Sequence, residues 1–151
     1  MLLLVAFAVM TAGCGELPSG NERSMAAAGG ITQSSAPINE QDILTVRLQC
    51  TNECTRMGKP PFTEKRFESA DEINVFVQVI NHSPKIEGDM DYSTLFLMYL
   101  TFIDGTEKVF ALNVSDLEGA VGLLVKIPGS SEGYAISEEF HRQLRTLIYH
   151  S

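Results

Sequence analysis

The chain has 151 residues, 44% of them hydrophobic, which supplies one core and leaves no room for two domains of ordinary size. Eleven Lys and Arg stand against nineteen Asp and Glu, a formal net charge of −8. Phosphate binding needs a basic surplus, so this balance excludes nucleic acid as a partner and a polybasic patch for anionic lipid headgroups.

The first element is the apolar run from Leu2 to Ala12. At 1.5 Å per residue it reaches roughly half of a hydrocarbon core about 30 Å thick, so it is no transmembrane span. Its length suits the apolar region of a signal peptide. The run ends in Thr11-Ala12-Gly13-Cys14. That tetrapeptide resembles a bacterial lipobox, in which the cysteine takes a diacylglycerol thioether and becomes the mature N-terminus. Thr11 stands where such signals usually carry Leu. No Lys or Arg precedes the run, so translation is expected to begin upstream. The expectation is a signal peptide over 1–13, lipidation of Cys14 and attachment of the chain to the extracytoplasmic face of the cell membrane. Two acyl chains hold a protein there stably where one does not.

From Cys14 to Gln41 the composition turns to Gly, Ser, Ala, Asn and Pro without apolar periodicity, the pattern of a flexible tether. Its root-mean-square reach is roughly 25–30 Å. The folded domain is expected over 42–151. Ile43 to Gln49 alternates apolar and polar residues, a strand with Leu44, Val46 and Leu48 facing inward. A polar stretch, Cys50 to Pro61, precedes a short strand over Thr63 to Phe67. Ser69 and Glu72 form a capping box for a helix whose Ile73, Phe76, Val77 and Ile80 make one apolar face. Asn81-His82-Ser83-Pro84 ends that helix, with His82 placed to complement its negative end.

Ser93 to Ile103 is apolar on both alternating faces and reads as a central strand. Asp104-Gly105 marks a hairpin, and Glu107 to Val114 is the partner strand. Val121 to Ile127 and Tyr134 to Ile136 are two further strands. Ser137 caps a final helix with Glu138 and Glu139 in its first turn. Phe140, Leu144, Leu147 and Ile148 form its buried stripe, and His141 is expected on the solvated side with Arg142 and Arg145. The order is β-β-α-β-β-β-β-α. The fold class is α+β, a small antiparallel sheet with two helices packed on one face.

The segments Phe67-Glu68-Ser69, Ile73 and Phe76, Ile86-Glu87-Gly88, the strand into Asp104-Gly105, and Tyr134-Ala135-Ile136-Ser137 before a helix with Leu144 resemble the YhfM-like domain of Gram-positive lipoproteins. The resemblance covers about half of the chain. It implies a compact α+β domain on a lipid tether and brings no catalytic residue with it. Where that family often carries Trp after the Asp-Gly turn, this chain reads Phe110-Ala111-Leu112-Asn113.

Chemistry-bearing residues are sparse. Cys50 and Cys54 bracket three residues, and outside the cytoplasm such a pair points first to a structural disulfide. Free thiols come second, and a metal or redox role third, because a redox pair prefers two intervening residues. Glu87, Asp89 and Asp91 form an acidic cluster near Gly88 without the spacing of an EF-hand loop, a weak Ca²⁺ site at most. No Gly-x-Ser-x-Gly elbow or phosphate-binding glycine loop occurs, and no cofactor or metal is expected.

The register of the hairpin decides the faces. A two-residue loop at Asp104-Gly105 would split Phe96, Met98, Leu100 and Phe102 from Phe110, Leu112 and Val114. A slip of one residue gathers all seven under the helices, so a three-residue loop Ile103-Asp104-Gly105 is expected, with Gly105 left-handed. Leu95, Leu97, Tyr99, Val109 and Ala111 then share the opposite face, which no predicted helix covers. That face is a candidate binding surface, unless the 50–61 segment or a dimer partner covers it. Two functional readings follow. The first is a non-enzymatic binding module at the cell envelope, with an envelope protein as partner. The alternative is an envelope enzyme with a cryptic acidic site at Asp89 and Asp91.

Overall fold

The computed structural model describes residues 37–57, 62–88, 90–128 and 132–151. Cys14 and Asp89 lie outside the described residues, as does the leader. The architecture is a seven-stranded antiparallel sheet in the order β2-β1-β4-β5-β6-β7-β3. The strands are β1 (Ile43–Cys50), β2 (Glu64–Phe67), β3 (Lys85–Ile86), β4 (Phe96–Phe102), β5 (Glu107–Asn113), β6 (Gly122–Ile127) and β7 (Gly133–Ile136). The helices are α1 (Asn52–Arg56), α2 (Ala70–His82) and α3 (Glu138–Tyr149). Three elements were not read from the sequence: a single 3-10 turn at Glu40–Asp42, the single-turn helix α1 inside the polar stretch after Cys50, and the two-residue edge strand β3.

α2 and α3 lie on one face of the sheet, as the fold class requires. Ile73, Phe76 and Val77 from α2 and Leu144 and Ile148 from α3 join Val46, Leu48, Phe96, Met98, Leu100, Leu112, Leu124 and Ile136 in a single buried cluster. Fully burying a side chain of this size contributes roughly 1.5–3 kcal/mol, so this face dominates the stability. Local signals fix the helix ends. The Ser69 hydroxyl accepts from the Glu72 backbone N–H at 3.4 Å and donates to the Glu72 carboxylate at 2.7 Å. Ser137 accepts from Phe140 N–H at 3.3 Å. The His82 ring meets the Gln78 carbonyl at 2.9 Å, the role of a cation-capable group at a helix C-terminus.

The hairpin between β4 and β5 has the three-residue loop. Phe102 N–H donates to Thr106 O at 2.9 Å, Gly105 N–H donates to Phe102 O at 3.0 Å, and Gly105 sits at φ +83°. Phe96 therefore pairs with Leu112 and Met98 with Phe110 on the helix-covered face. Leu97 pairs with Ala111 and Tyr99 with Val109 on the other.

Two side-chain expectations are corrected. Leu44 does not face inward: the β1–β4 register shifts between Ile43 and Thr45, which buries Ile43 and leaves Leu44 57% exposed. His141 does not lie on a solvated face: it is 1% exposed, and its Nε2 has no hydrogen-bond partner. Order in the fold also begins before Asp42. Ile38 N–H donates to Asn81 Oδ1 at 2.9 Å, and Asn81 Nδ2 donates to Ile38 O at 2.8 Å, so the entering chain is pinned to α2.

Candidate functional site

β1 carries the chain from its entry at Pro37–Asp42 to Cys50, across the length of the sheet. At eight residues and about 3.3 Å each, the two ends lie roughly 25 Å apart. The candidate site is at the far end. There Cys50 pairs with Phe96 at the start of β4, and the chain turns at once into α1. Thr51 is the organising residue. Its N–H donates to Leu95 O at 3.0 Å; its hydroxyl donates toward Thr94 O at 2.5 Å with Leu95 O at 3.0 Å, and accepts from Cys54 N–H at 3.4 Å. Cys50 and Cys54 are joined by a disulfide with Cα atoms 5.5 Å apart. The turn is thus tied both to itself and to the strand beneath it.

Residues 91–94 form the opposite wall, where Asn113 Nδ2 donates to Ser93 O at 2.8 Å and to Ser93 Oγ at 3.2 Å. Between the walls lies an open cleft of about 510 Å³ lined by residues 51–53 and 91–94. Glu53 pairs with Arg56 at 2.8 Å. Among the described residues, the side chains of Asn52, Asp91 and Tyr92 have no partner of their own. An amide, a carboxylate and an exposed aromatic ring therefore converge on a braced floor, with no basic residue in the lining.

The sheet face singled out by the sequence is arranged differently from an open patch. Leu97, Tyr99, Val109 and Ala111 do share it, but Leu95 belongs to the main core and Ala111 is buried. The Arg47 guanidinium lies 3.8 Å from the centre of the Tyr99 ring, and Gln49 Oε1 accepts from the Tyr99 hydroxyl at 3.2 Å. Leu97, Ala111, Val125 and Gly133 form one row across β4, β5, β6 and β7. Met90 closes that row: a Cβ placed on Gly133 would fall on the Met90 Sδ and Cε atoms. The cover comes from the connection between β3 and β4. Sequence reasoning offered instead the 50–61 segment or a dimer partner.

The acidic cluster is represented by Glu87 and Asp91, and only Asp91 lines the cleft. Among the described residues no group of three His, Cys, Asp or Glu side chains could hold a metal ion. The carboxylates with shifted titration lie elsewhere, and all shift downward. The Arg145 guanidinium hydrogen-bonded to Asp116 lowers it, the Lys85 ammonium lowers Glu132, Gln143 with Arg142 lowers Glu139, and the Thr106 hydroxyl and amide lower Asp104. Each is held ionised, the opposite of what a general acid requires. Tyr149, half-buried with its hydroxyl donating to Val114 O at 2.8 Å, is pushed up to about 12, chiefly by desolvation.

Neither the protein-family models nor the curated proteins give a match to this chain. Among solved structures, the crystal structure of a thioesterase-like protein from Clostridium sporogenes ATCC 15579 is similar in fold. It superposes with a TM-score of 0.52 at 12% identity, over 73% of this chain and 97% of the other. The chain thus belongs to the α+β class with helices on one face of an antiparallel sheet, a fold it shares with that protein. Among the described residues no helix is long and apolar enough to cross a membrane.

Proposed function

We propose that the chain is a lipid-anchored extracytoplasmic protein whose domain acts as a non-enzymatic binding module at the cell envelope. The observation that carries this reading is the apolar run Leu2–Ala12 leading into Thr11-Ala12-Gly13-Cys14, followed by a tether-like composition. The Cys50–Cys54 disulfide supports it, because such bonds persist in oxidising compartments. On the same reading, the resemblance to the YhfM-like domain is kinship, and the partner is a protein of the envelope. Replacing Cys14 with Ser should move the protein from the membrane fraction to the soluble fraction or leave it unprocessed. Detergent-phase partitioning identical to the parent would refute the anchor.

A second reading, an envelope enzyme with an acidic site, has Asp91 beside Glu53 in the cleft in its favour. It requires a hydrolytic turnover of model esters or glycosides that Asp91→Asn abolishes while the fold stays intact.

A further inference from the structure

Exposed apolar side chains on this domain sit at its ends. Among the described residues, Met57, Tyr92, Leu117 and Val121 are large, apolar and exposed. Met57 closes α1, Tyr92 lines the cleft, and Leu117 and Val121 lie in the loop between β5 and β6, all at the end of the sheet opposite the chain entry. Leu44 and Ile103 mark the entry end, where Ile103 N–H donates to Asp42 O at 2.9 Å. The far end therefore joins an acidic, concave centre to an apolar surround. Concave binding sites combine a few polar groups that fix orientation with apolar side chains around them.

We propose that this end of the domain docks an extended segment of a partner protein that carries a Lys or Arg flanked by apolar residues. The inference rests on the binding-module reading and names the chemistry of its partner. Charge complementarity selects the basic residue. Glu53 and Asp91 both line the cleft, no cation does, and the chain carries a net charge of −8, which repels anionic ligands. The Arg56 side chain that pairs with Glu53 is 74% exposed, so the pair is solvated and a partner's cation can replace it. Tyr92 presents a ring to the aliphatic stem and charged head of the incoming residue. The floor is fixed in advance by the disulfide and by the Thr51 bonds to Thr94 and Leu95, which lowers the ordering cost of binding. The described chain enters at Pro37–Asp42, and the length of β1 sets that entry roughly 25 Å from the cleft end.

The test uses the full chain and defined probes, read by amide chemical shifts. The probes are a Leu-Val-Lys-Leu-Val peptide, the same peptide with Glu in place of Lys, and a neutral tetrasaccharide of N-acetylglucosamine. The Lys peptide should shift the amides of Asn52, Glu53, Tyr92 and Ser93, and the Glu peptide should not. Affinity should fall about tenfold in Asp91→Asn and again in Tyr92→Ala. It should also weaken as salt rises from about 0.05 to 0.5 M. Leu44→Asp, at the other end, should leave binding unchanged. Lys and Glu peptides binding alike, shifts confined to another surface, no shift at millimolar peptide, or a response to the tetrasaccharide alone would each overturn the proposal. The anchor is tested separately by Cys14→Ser, so a soluble parent with an intact peptide response would remove the lipid reading and leave the docking surface standing.

Discussion

Opening the Cys50–Cys54 bond by reduction, or by the double change Cys50→Ala and Cys54→Ala, should lower stability measurably without unfolding the domain. The bond closes a loop across a sequence separation of 4. Under the chain-entropy model a loop that short restrains the unfolded chain by about 2 kcal/mol. Roughly 115 residues, 37–151, take part in the unfolding transition. With an unfolding entropy of about 2.1 cal/mol/K per residue, the melting temperature should drop by about 8 °C. Three features keep α1 in place after the bond is lost. The Thr51 hydroxyl still holds Thr94 O and Leu95 O, Met57 N–H still donates to Glu53 O at 3.1 Å, and Cys50 still pairs with Phe96. Scanning calorimetry of oxidised and reduced protein is the assay, with intact mass confirming the gain of two hydrogen atoms on reduction. An unchanged melting temperature in fully reduced protein would refute the entropic argument. Alkylation of both thiols in protein never exposed to reductant would refute the bond itself.

Acidification should weaken the fold through His141. Burial, and then the nearby Arg145 charge, lower its pKa below the ordinary 6.5. The unfolded state therefore binds the proton first, so stability is constant well above pH 6.5 and declines as pH falls from there toward the folded pKa. Urea midpoints from pH 8 to 5 should show this slope, and a His141→Phe variant that keeps the same slope would contradict it. Gly122→Ala should cost about 1–3 kcal/mol, because the new Cβ would lie 2.8 Å from the Asn113 carbonyl oxygen, a backbone atom that cannot swing aside. A parental melting temperature would show that β6 can shift. Gly133→Ala and Met90→Ala should each destabilise, and the double variant should lose about 0.5–3 kcal/mol less than their sum, since removing Met90 makes room for the methyl group. Additive losses in a double-mutant cycle would mean that Met90 does not rest on β7.

Much of the fold was legible because its signals are local. The Ser69 and Ser137 caps, the apolar stripe of α2 and the Asp104-Gly105 turn are set by residues within one or two turns of chain, and they appear where the sequence placed them. The misses have physical causes. Strict alternation cannot announce a bulge, so the inversion at Ile43 and Leu44 had no sequence signature. His141 was a misread of spacing against residue type. With Leu144 and Ile148 it completes an i, i+3, i+7 stripe, the true buried line of α3, while Phe140 and Leu147 flank it half-buried. The cleft was invisible for a different reason. Its walls, residues 51–53 and 91–94, are brought together by the pairing of β1 with β4, and neither stretch has a pattern of its own.

The outer sheet face shows how a correct register can still leave the wrong surface in view. Parity and the three-residue loop put Leu97, Tyr99, Val109 and Ala111 on one side of the sheet, and the strands pair that way. The sequence left this side either bare or covered by the 50–61 segment or a dimer partner, and did not point to the connection between β3 and β4. Strand order supplies another cover. β3 lies at the edge beyond β7, while β4 lies between β1 and β5, so the nine-residue connection between them must pass β7, β6 and β5, a distance of roughly 19 Å. The helices occupy the inner face, which leaves the outer one for the crossing. Gly133 and the small Ala111 are what such a crossing needs beneath it: the missing side chain at Gly133 is the space that Met90 fills. The apolar character of that face is thus explained by the chain's own packing. Surface left for a partner lies at the far end of the strands, where the last residues of the crossing, 91–94, form one wall of the cleft.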